Sequence, residues 1–242
     1  MIDDYVAYHS LKGYELKWLA MDTEELFDKN MSNDKTRKEL NDLNWTKDSI
    51  TYKFNNQGFR SEEFDSSGNN IVFLGASDTV GIGVQWEDTF SKIVSDDLKL
   101  KCFNLGVGGG SMDSCFRFAI YWLEKIKPKI VVLLEPDKYR KEIKTSNHTY
   151  INLLPTNIST QGCNRIYKNF YKGWILEEQN VNLLKEKNFL AIKYLSNKIN
   201  TKFISVTLDD GPEPDGEARD LAHGGAVWHS VMARYILKEI DK

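Results

Sequence analysis

Four short apolar runs along the chain are spaced like the strands of one sheet. They cover residues 71–74, 100–103, 130–134 and 202–208. Stretches with apolar residues at helical spacing lie between and after them, over residues 87–98, 113–127, 181–199 and 225–240. Such alternation is typical of an α/β protein whose central parallel sheet carries helices on both faces. We therefore predict a three-layer α/β/α fold.

The same pattern divides the chain into two parts. Residues 1–65 are polar, acidic and weakly periodic, apart from residues 49–54, which alternate like an edge strand. We predict that they form an N-terminal extension packed on a main domain of residues 66–242. Residues 138–178 are longer than an ordinary connection, so we predict a lid or an insertion that shapes a substrate site. Aromatic side chains there, such as Trp174, suit either a sugar ring or a small separate core.

Composition narrows the class of protein. The 242 residues carry a net charge of −3 and a sequence pI near 5.9, without a dense block of basic residues. Nucleic acid is therefore not an expected partner. No signal peptide or membrane span is visible, so a cytoplasmic or otherwise non-secreted location is expected. Oligomeric state is not indicated.

The cysteines suggest neither a disulfide framework nor a metal site. Cys102, Cys115 and Cys163 are odd in number and lack Cys-x-x-Cys spacing. Two of them fall in a predicted strand or helix, which favours buried thiols. We expect no metal and no organic cofactor.

Ser77 lies at the most informative place in the pattern. It follows the apolar run that ends at Leu74, within the glycine-rich stretch from Gly75 to Gly83, where a strand passes into a helix. Open α/β sheets carry their chemistry at the carboxyl ends of strands. Backbone N–H groups at such a turn can hold a developing oxyanion. The alternative is that Ser77 or Thr79 merely caps the helix.

A base for Ser77 is available near the other end of the chain. Asp220 and His223 are three residues apart, so one turn can bring the carboxylate against the imidazole. A serine hydroxyl needs an imidazole to accept its proton, and a carboxylate fixes the imidazole tautomer. His229 falls inside the last predicted helix, where a surface or packed role is expected. The chain has four histidines: His9, His148, His223 and His229.

Ser77, Asp220 and His223 together resemble the SGNH, or GDSL-like, hydrolase family. The stretch from Asn104 to Ser111 follows a second strand and resembles the family's second block, whose glycine N–H points into the oxyanion hole. Gly108 is the best match for that glycine, with Gly109 as the alternative. The resemblance covers residues 71–236, with the motifs in the family's order, and implies a flavodoxin-like fold. The family has five strands where four are evident here, so one is short or comes from the N-terminal extension.

Two departures from the family pattern bear on activity. The first block reads Gly-Ala-Ser where the family has Gly-Asp-Ser, which leaves the nucleophile in place. After the third strand, the family carries an asparagine that donates to the oxyanion, whereas this chain reads from Glu135 to Arg140. Arg140 and Asn104 are candidates for contact with the oxyanion or the substrate. An ion pair of Arg140 with Asp137 or Glu142 is the plainer alternative.

Arg60 lies in a stretch whose resemblance to the family is weaker than that of the three motifs. The stretch from Asn55 to Arg60 is similar to one that precedes the serine block in some SGNH-like proteins. For Arg60, an ion pair that anchors the extension to the main domain is favoured over substrate contact.

The resemblance implies a serine esterase or acylhydrolase that works through an acyl-enzyme on small acyl esters, including O-acetyl groups on carbohydrates. The missing asparagine keeps a second hypothesis open, a binding or structural module that retains the fold without the activity. A nucleotide-binding domain is the third possibility. It ranks last because the glycine-rich turns lack a Walker A lysine and a clear acidic partner for a ribose.

Overall fold

The computed structural model describes residues 2–145, 150–158, 165–210 and 213–242. The strands are β1 (Glu15–Leu16), β2 (Tyr52–Lys53), β3 (Asn70–Leu74), β4 (Lys101–Asn104), β5 (Ile130–Leu134), β6 (Lys141–Lys144), β7 (Tyr150–Leu153) and β8 (Lys202–Val206). The α-helices are α1 (Glu24–Ser32), α2 (Asp34–Asp42), α3 (Ser77–Val80), α4 (Phe90–Asp97), α5 (Met112–Ile126), α6 (Pro155–Ile158), α7 (Arg165–Phe170), α8 (Glu178–Lys198) and α9 (Ala226–Asp241). A π-helical turn covers Tyr171–Ile175, and 3₁₀ turns cover Ile2–Tyr5, His9–Leu11 and Leu208–Asp210.

The central sheet has four parallel strands in the order β4-β3-β5-β8. Every residue of β3 and β5 is buried, which explains why both strands read as continuous apolar runs. In register, Phe73 of β3 lies between Asn104 of β4 and Val132 of β5. The carboxyl ends of β3 and β4 therefore meet at one edge of the sheet.

Helices cover both faces of this sheet. On one face, a core cluster joins β3 and β5 to the apolar side of α5 and to Ile192 of α8. On the other face, a second cluster joins the same strands to α4 and α9, with Trp228 among its largest buried side chains. The predicted three-layer α/β/α fold is thus confirmed.

Residues 1–65 contact the main domain through a core of their own. Tyr52, Phe54 and Leu19 pack with Val80 and Ile82, which follow the end of β3. β1 and β2 pair antiparallel in a separate two-stranded sheet. Within the described residues, the extension therefore adds no fifth strand to the central sheet.

The insertion at 138–178 contains a hairpin of β6 and β7 followed by α6, α7 and the π-helical turn. Its own small core consists of Leu153, Tyr171, Ile175 and Val181. A lid function for this insertion stays a prediction.

Cys102 and Cys115 are buried free thiols, whereas Cys163 and His148 lie outside the described residues. The described helices include none long and apolar enough to cross a bilayer.

Candidate active site

Ser77 is the first residue of α3, directly beyond the end of β3. Its side chain is buried to 8% exposure, and no side chain caps this helix. Neither Ser77 nor Thr79 therefore has the capping role that the sequence left open. Within the described residues, the Ser77 N–H has no hydrogen-bond acceptor, as is usual in the first turn of a helix. The turn presents a hydroxyl beside an available N–H donor.

Asp220 and His223 form a hydrogen-bonded pair. His223 Nδ1 lies 2.5 Å from Asp220 Oδ2. The other carboxylate oxygen of Asp220 accepts the backbone N–H groups of Ala222 at 3.0 Å and His223 at 3.1 Å. Because Nδ1 is engaged by the carboxylate, Nε2 is the ring nitrogen left to accept a proton.

Burial and charge oppose each other at both members of the pair. Burial lowers the pKa of His223, but the hydrogen bond and charge of Asp220, with a smaller contribution from Asp78, raise it above the ordinary value of 6.5. Burial raises the pKa of Asp220, but the contacts with His223 and the N–H of Ala222 outweigh it and lower that pKa. The pair therefore favours a charged carboxylate beside an imidazole that readily takes a proton.

The loop that carries this pair docks next to α3 through Gly83. The N–H of Arg219 donates to the carbonyl of Gly83 at 2.9 Å. Gly83 has φ +77°, and a Cβ there would lie 2.7 Å from the Cβ of Ala218 and 3.3 Å from Asp220 Oδ1. A side chain at this position is both strained and obstructed. Gly83 thus permits the close approach that brings the loop carrying Asp220 and His223 against the Ser77 turn.

The structure brings the predicted serine and histidine to the same edge of the sheet without joining them. No hydrogen bond links Ser77 Oγ to the imidazole in the described part of the chain. Asp78, the neighbour of Ser77, is close enough for its charge to raise the pKa of His223. Catalytic hydrogen bonds are often long before substrate binds, so this geometry is compatible with a nucleophile and its base.

The glycine loop after β4 offers one N–H donor that is occupied and one that is available. The N–H of Gly108 donates to the hydroxyl of Tyr8 at 2.7 Å. Gly109 has φ +69°, and its N–H has no acceptor in the described part of the chain. Of the two glycines that the sequence left open, Gly109 is the one with an available donor.

Asn104 is fully engaged within the protein. Its amide nitrogen donates to the carbonyl of Thr79 and, at 3.2 Å, to the hydroxyl of Ser91. Its amide oxygen accepts the N–H of Gly106 at 2.9 Å. The side chain is 1% exposed. These contacts hold the glycine loop against α3 and leave no donor of Asn104 for a substrate.

Arg140 lies close enough to His223 for its charge to lower the pKa of that imidazole. Asp137 Oδ1 accepts the N–H of Tyr139, and Glu142 pairs with Arg117, so neither forms the ion pair considered from the sequence. Within the described residues, the guanidinium has no hydrogen bond or salt bridge. It lines a cavity of about 10 Å³ together with Ala76 and Asp78, which flank Ser77.

His229 is packed inside the protein. It is 1% exposed, and its Nδ1 accepts the N–H of Phe90 at 3.1 Å. Burial, with smaller contributions from Arg60 and His223, lowers its pKa to about 3, so the ring is neutral. His229 is a structural histidine, which agrees with the expectation from the sequence.

Arg60 anchors the extension, but through carbonyl groups instead of the expected ion pair. Its guanidinium donates to the carbonyls of Val80 and Gly81, and to that of Val84 at 2.9 Å. The side chain is 1% exposed and lies over the ring of Tyr52. Arg60 therefore fixes the segment that follows Ser77.

Sequence reasoning missed a second buried arginine, Arg219. Its guanidinium is fully buried and pairs with Asp22 of the extension at 2.6 Å. Asp22 also accepts the hydroxyl proton of Tyr52 at 2.5 Å, and Tyr52 accepts the N–H of Gly83 at 2.8 Å. The residue before Asp220 is thus tied to the extension. No local pattern marks this pair, because its partners are 197 positions apart.

A larger cavity lies apart from this site. A cavity of about 610 Å³ is bordered by the extension and by residues 85–87, and Ser77 does not line it. Among the described residues, no group of three or more His, Cys, Asp or Glu side chains could hold a metal ion.

Comparison with known proteins gives distant structural similarities. No protein-family model and no curated protein matches the sequence. Esterase EstA from Pseudoalteromonas sp. is 15% identical with a TM-score of 0.38, over 72% of this chain and 97% of that chain. A protein described as an acylhydrolase from Bacteroides fragilis is 14% identical with a TM-score of 0.32, over 74% and 89% of the two chains. A GDSL-like lipase from Bacteroides thetaiotaomicron is 13% identical with a TM-score of 0.31, over 72% and 88%.

At these TM-scores the likenesses carry no argument about this chain, whose function is proposed from its own side chains.

Proposed function

We propose that this protein is an SGNH-type serine ester hydrolase in which Ser77, His223 and Asp220 are the catalytic residues. The observation that carries the proposal is the 2.5 Å contact between Asp220 and His223 in a loop docked on the turn that begins with Ser77. A carboxylate in this position orients the imidazole and stabilises the imidazolium that forms during proton transfer.

The reaction proceeds in two halves. His223 Nε2 takes the proton of Ser77 Oγ as the oxygen attacks the ester carbonyl, and the collapsing tetrahedral intermediate leaves an acyl group on Ser77. His223 returns the proton to the leaving alcohol. It then takes a proton from water as the water attacks the acyl-enzyme, and it gives that proton to Ser77 Oγ as the acid leaves.

Two backbone donors are suited to hold the oxyanion. The N–H groups of Ser77 and Gly109 have no acceptor within the described residues. Donors at these positions stabilise the negative charge that develops on the carbonyl oxygen. We assign the second donor to Gly109 in place of Gly108, because Tyr8 occupies the Gly108 N–H.

Arg140 supplies the remaining positive group of the site. A guanidinium has five N–H donors and stays charged, so it can contact the oxyanion or an anionic group of the substrate. The substrate class is then a small acyl ester, including an O-acetyl carbohydrate, with an anionic group favoured if Arg140 contacts the substrate.

A fluorophosphonate probe tests the nucleophile directly. The folded protein should be labelled once, at Ser77, as located by mass spectrometry of its peptides. Ser77→Ala should lose the label, whereas Ser66→Ala, which changes an exposed serine in a turn, should keep it.

A folded protein that takes up no label would instead favour the binding module. The missing asparagine after β5 is the specific observation on its side. Equal labelling of the Ser77→Ala variant would show that another residue reacts.

A further inference from the structure

The insertion carries an exposed segment with an unusual composition, residues 165–176. It holds three basic residues, Arg165, Lys168 and Lys172, and no acidic residue, in a chain whose net charge is −3. Four of the large apolar side chains that are exposed in this protein lie within it: Ile166 at 71%, Phe170 at 43%, Trp174 at 37% and Leu176 at 50% exposure.

The exposed apolar side chains of this segment are not the ones that anchor it to the rest of the protein. The inward side of the segment is already anchored, because Tyr171 and Ile175 are buried in the core of the insertion. The hydroxyl of Tyr171 also donates to the carbonyl of Tyr139 at 2.5 Å. On the outward side, the rings of Phe170 and Trp174 contact each other at 5.5 Å between centroids. Adjacent exposed aromatic groups of this kind mark an interaction surface.

The positive charge of the segment indicates that its binding partner is anionic. Arg165 and Lys172 have no acidic partner in the described part of the chain. A short amphipathic segment with aromatic and aliphatic groups on one side and basic groups beside them lies in the interface of an anionic bilayer. The apolar groups enter the headgroup boundary, and the long basic side chains reach the lipid phosphates.

We propose that residues 165–176 dock this protein on the surface of a membrane that contains anionic phospholipid. Binding at a surface needs no membrane-crossing helix, and it does not depend on the proposed hydrolase activity. The hairpin of the same insertion lies next to the proposed site, since a Cβ on Gly109 would be 3.8 Å from the Cβ of Asn152 in β7. Docking would thus hold the Ser77 edge close to the lipid surface.

Vesicle flotation tests the proposal with the purified protein of 242 residues. Vesicles of phosphatidylcholine with 30% phosphatidylglycerol should carry the protein, whereas phosphatidylcholine alone should not, and high salt should weaken the binding. Phe170→Ser with Trp174→Ser should abolish binding. The control Leu190→Ser, which changes an exposed apolar side chain of α8, should not. Lys172→Glu should weaken binding about tenfold or more, but Lys187→Glu on α8 should have little effect.

Fluorescence separates insertion from mere charge attraction. Brominated anionic lipid should quench part of the tryptophan emission of the wild-type protein, and Trp174→Phe should remove that quenching. Absence of binding to anionic vesicles, or equal losses in the segment and control variants, would overturn the proposal. So would light scattering that shows a dimer in solution which Phe170→Ser with Trp174→Ser converts to a monomer, because a second copy would then cover the segment.

Discussion

Burial and neighbouring charges shift the pKa of His223 in opposite directions. Burial disfavours its charge, whereas Asp220 and Asp78 favour it, and the second effect is the larger. A base must be neutral to accept the proton of Ser77. Catalysis should therefore appear as pH rises through the pKa of His223, which lies above 6.5.

The pH dependence of kcat/KM checks this directly with a simple aryl acetate. In the wild-type protein the acidic limb should have its midpoint above the ordinary histidine value. Asp220→Asn leaves the burial but removes the favourable charge, so the midpoint should move to lower pH while kcat falls by roughly 10⁴-fold, as for the equivalent change in a serine protease. An acidic limb that stays in place in Asp220→Asn would mean that another group titrates.

The two described histidines near the site should respond in opposite ways to substitution. His223→Ala should lower kcat/KM by roughly 10⁴-fold or more, with little loss of stability because this side chain packs at the edge of the site. His229→Ala removes the acceptor of the Phe90 N–H in the core, so the free energy of unfolding should fall by about 1–3 kcal/mol. The activity of each folded His229→Ala molecule should stay close to that of the wild type. Urea unfolding and active-site titration measure the two quantities, and the reverse ranking would mean that the base is misassigned.

For single residues, the sequence indicated which side chains form the candidate site better than it indicated their hydrogen-bond partners. Residue spacing alone was enough to predict Asp220 beside His223, whereas for His229 it left a surface and a packed role open. The occupation of the Gly108 N–H was not predictable, because its acceptor, the hydroxyl of Tyr8, lies a hundred positions earlier. Likewise, Arg60 bonds to backbone carbonyls, which leave no signature in the sequence.

Among the elements, those buried on one or both faces were predicted best. β3 and β5 were found within one residue because their apolar runs are continuous. α4 begins at Phe90, later than predicted, since Thr89 accepts the N–H of Lys92 and caps the helix there. The β6–β7 hairpin was missed because most of its residues are half exposed and show no clear alternation.

The pair of Asp22 and Arg219 links the extension to the loop that carries Asp220 and His223. It should contribute several times more to the free energy of unfolding than a surface ion pair. Asp22→Asn leaves the guanidinium of Arg219 buried without a counterion, which should lower the free energy of unfolding by about 3–5 kcal/mol. Asp48→Asn is the matched control. It breaks the exposed pair of Asp48 with Lys17 and should cost at most about 1 kcal/mol. Urea unfolding followed by circular dichroism measures both, and equal effects would contradict the role given to Asp22.

At the scale of the whole molecule, the extension and the main domain should not fold separately. A chain of residues 66–242 lacks Asp22 and exposes Val80 and Ile82, which the extension covers. It should therefore fail to unfold cooperatively and should elute as an expanded or aggregated species. Co-expression with residues 1–65 should restore a compact complex. A compact, cooperatively folded 66–242 fragment would instead make the extension an independent attachment.

The pair of Asp22 and Arg219 has a consequence for how the protein is made. Its two halves are 197 positions apart, so the ribosome produces Asp22 well before Arg219. Contacts between distant parts of a chain form late and slowly, because a long loop must close first. Ser77 is synthesised well before the loop that carries Asp220 and His223. A growing chain would therefore hold an inert serine until residues 220–223 have emerged and docked, and the proposed hydrolysis would begin only then.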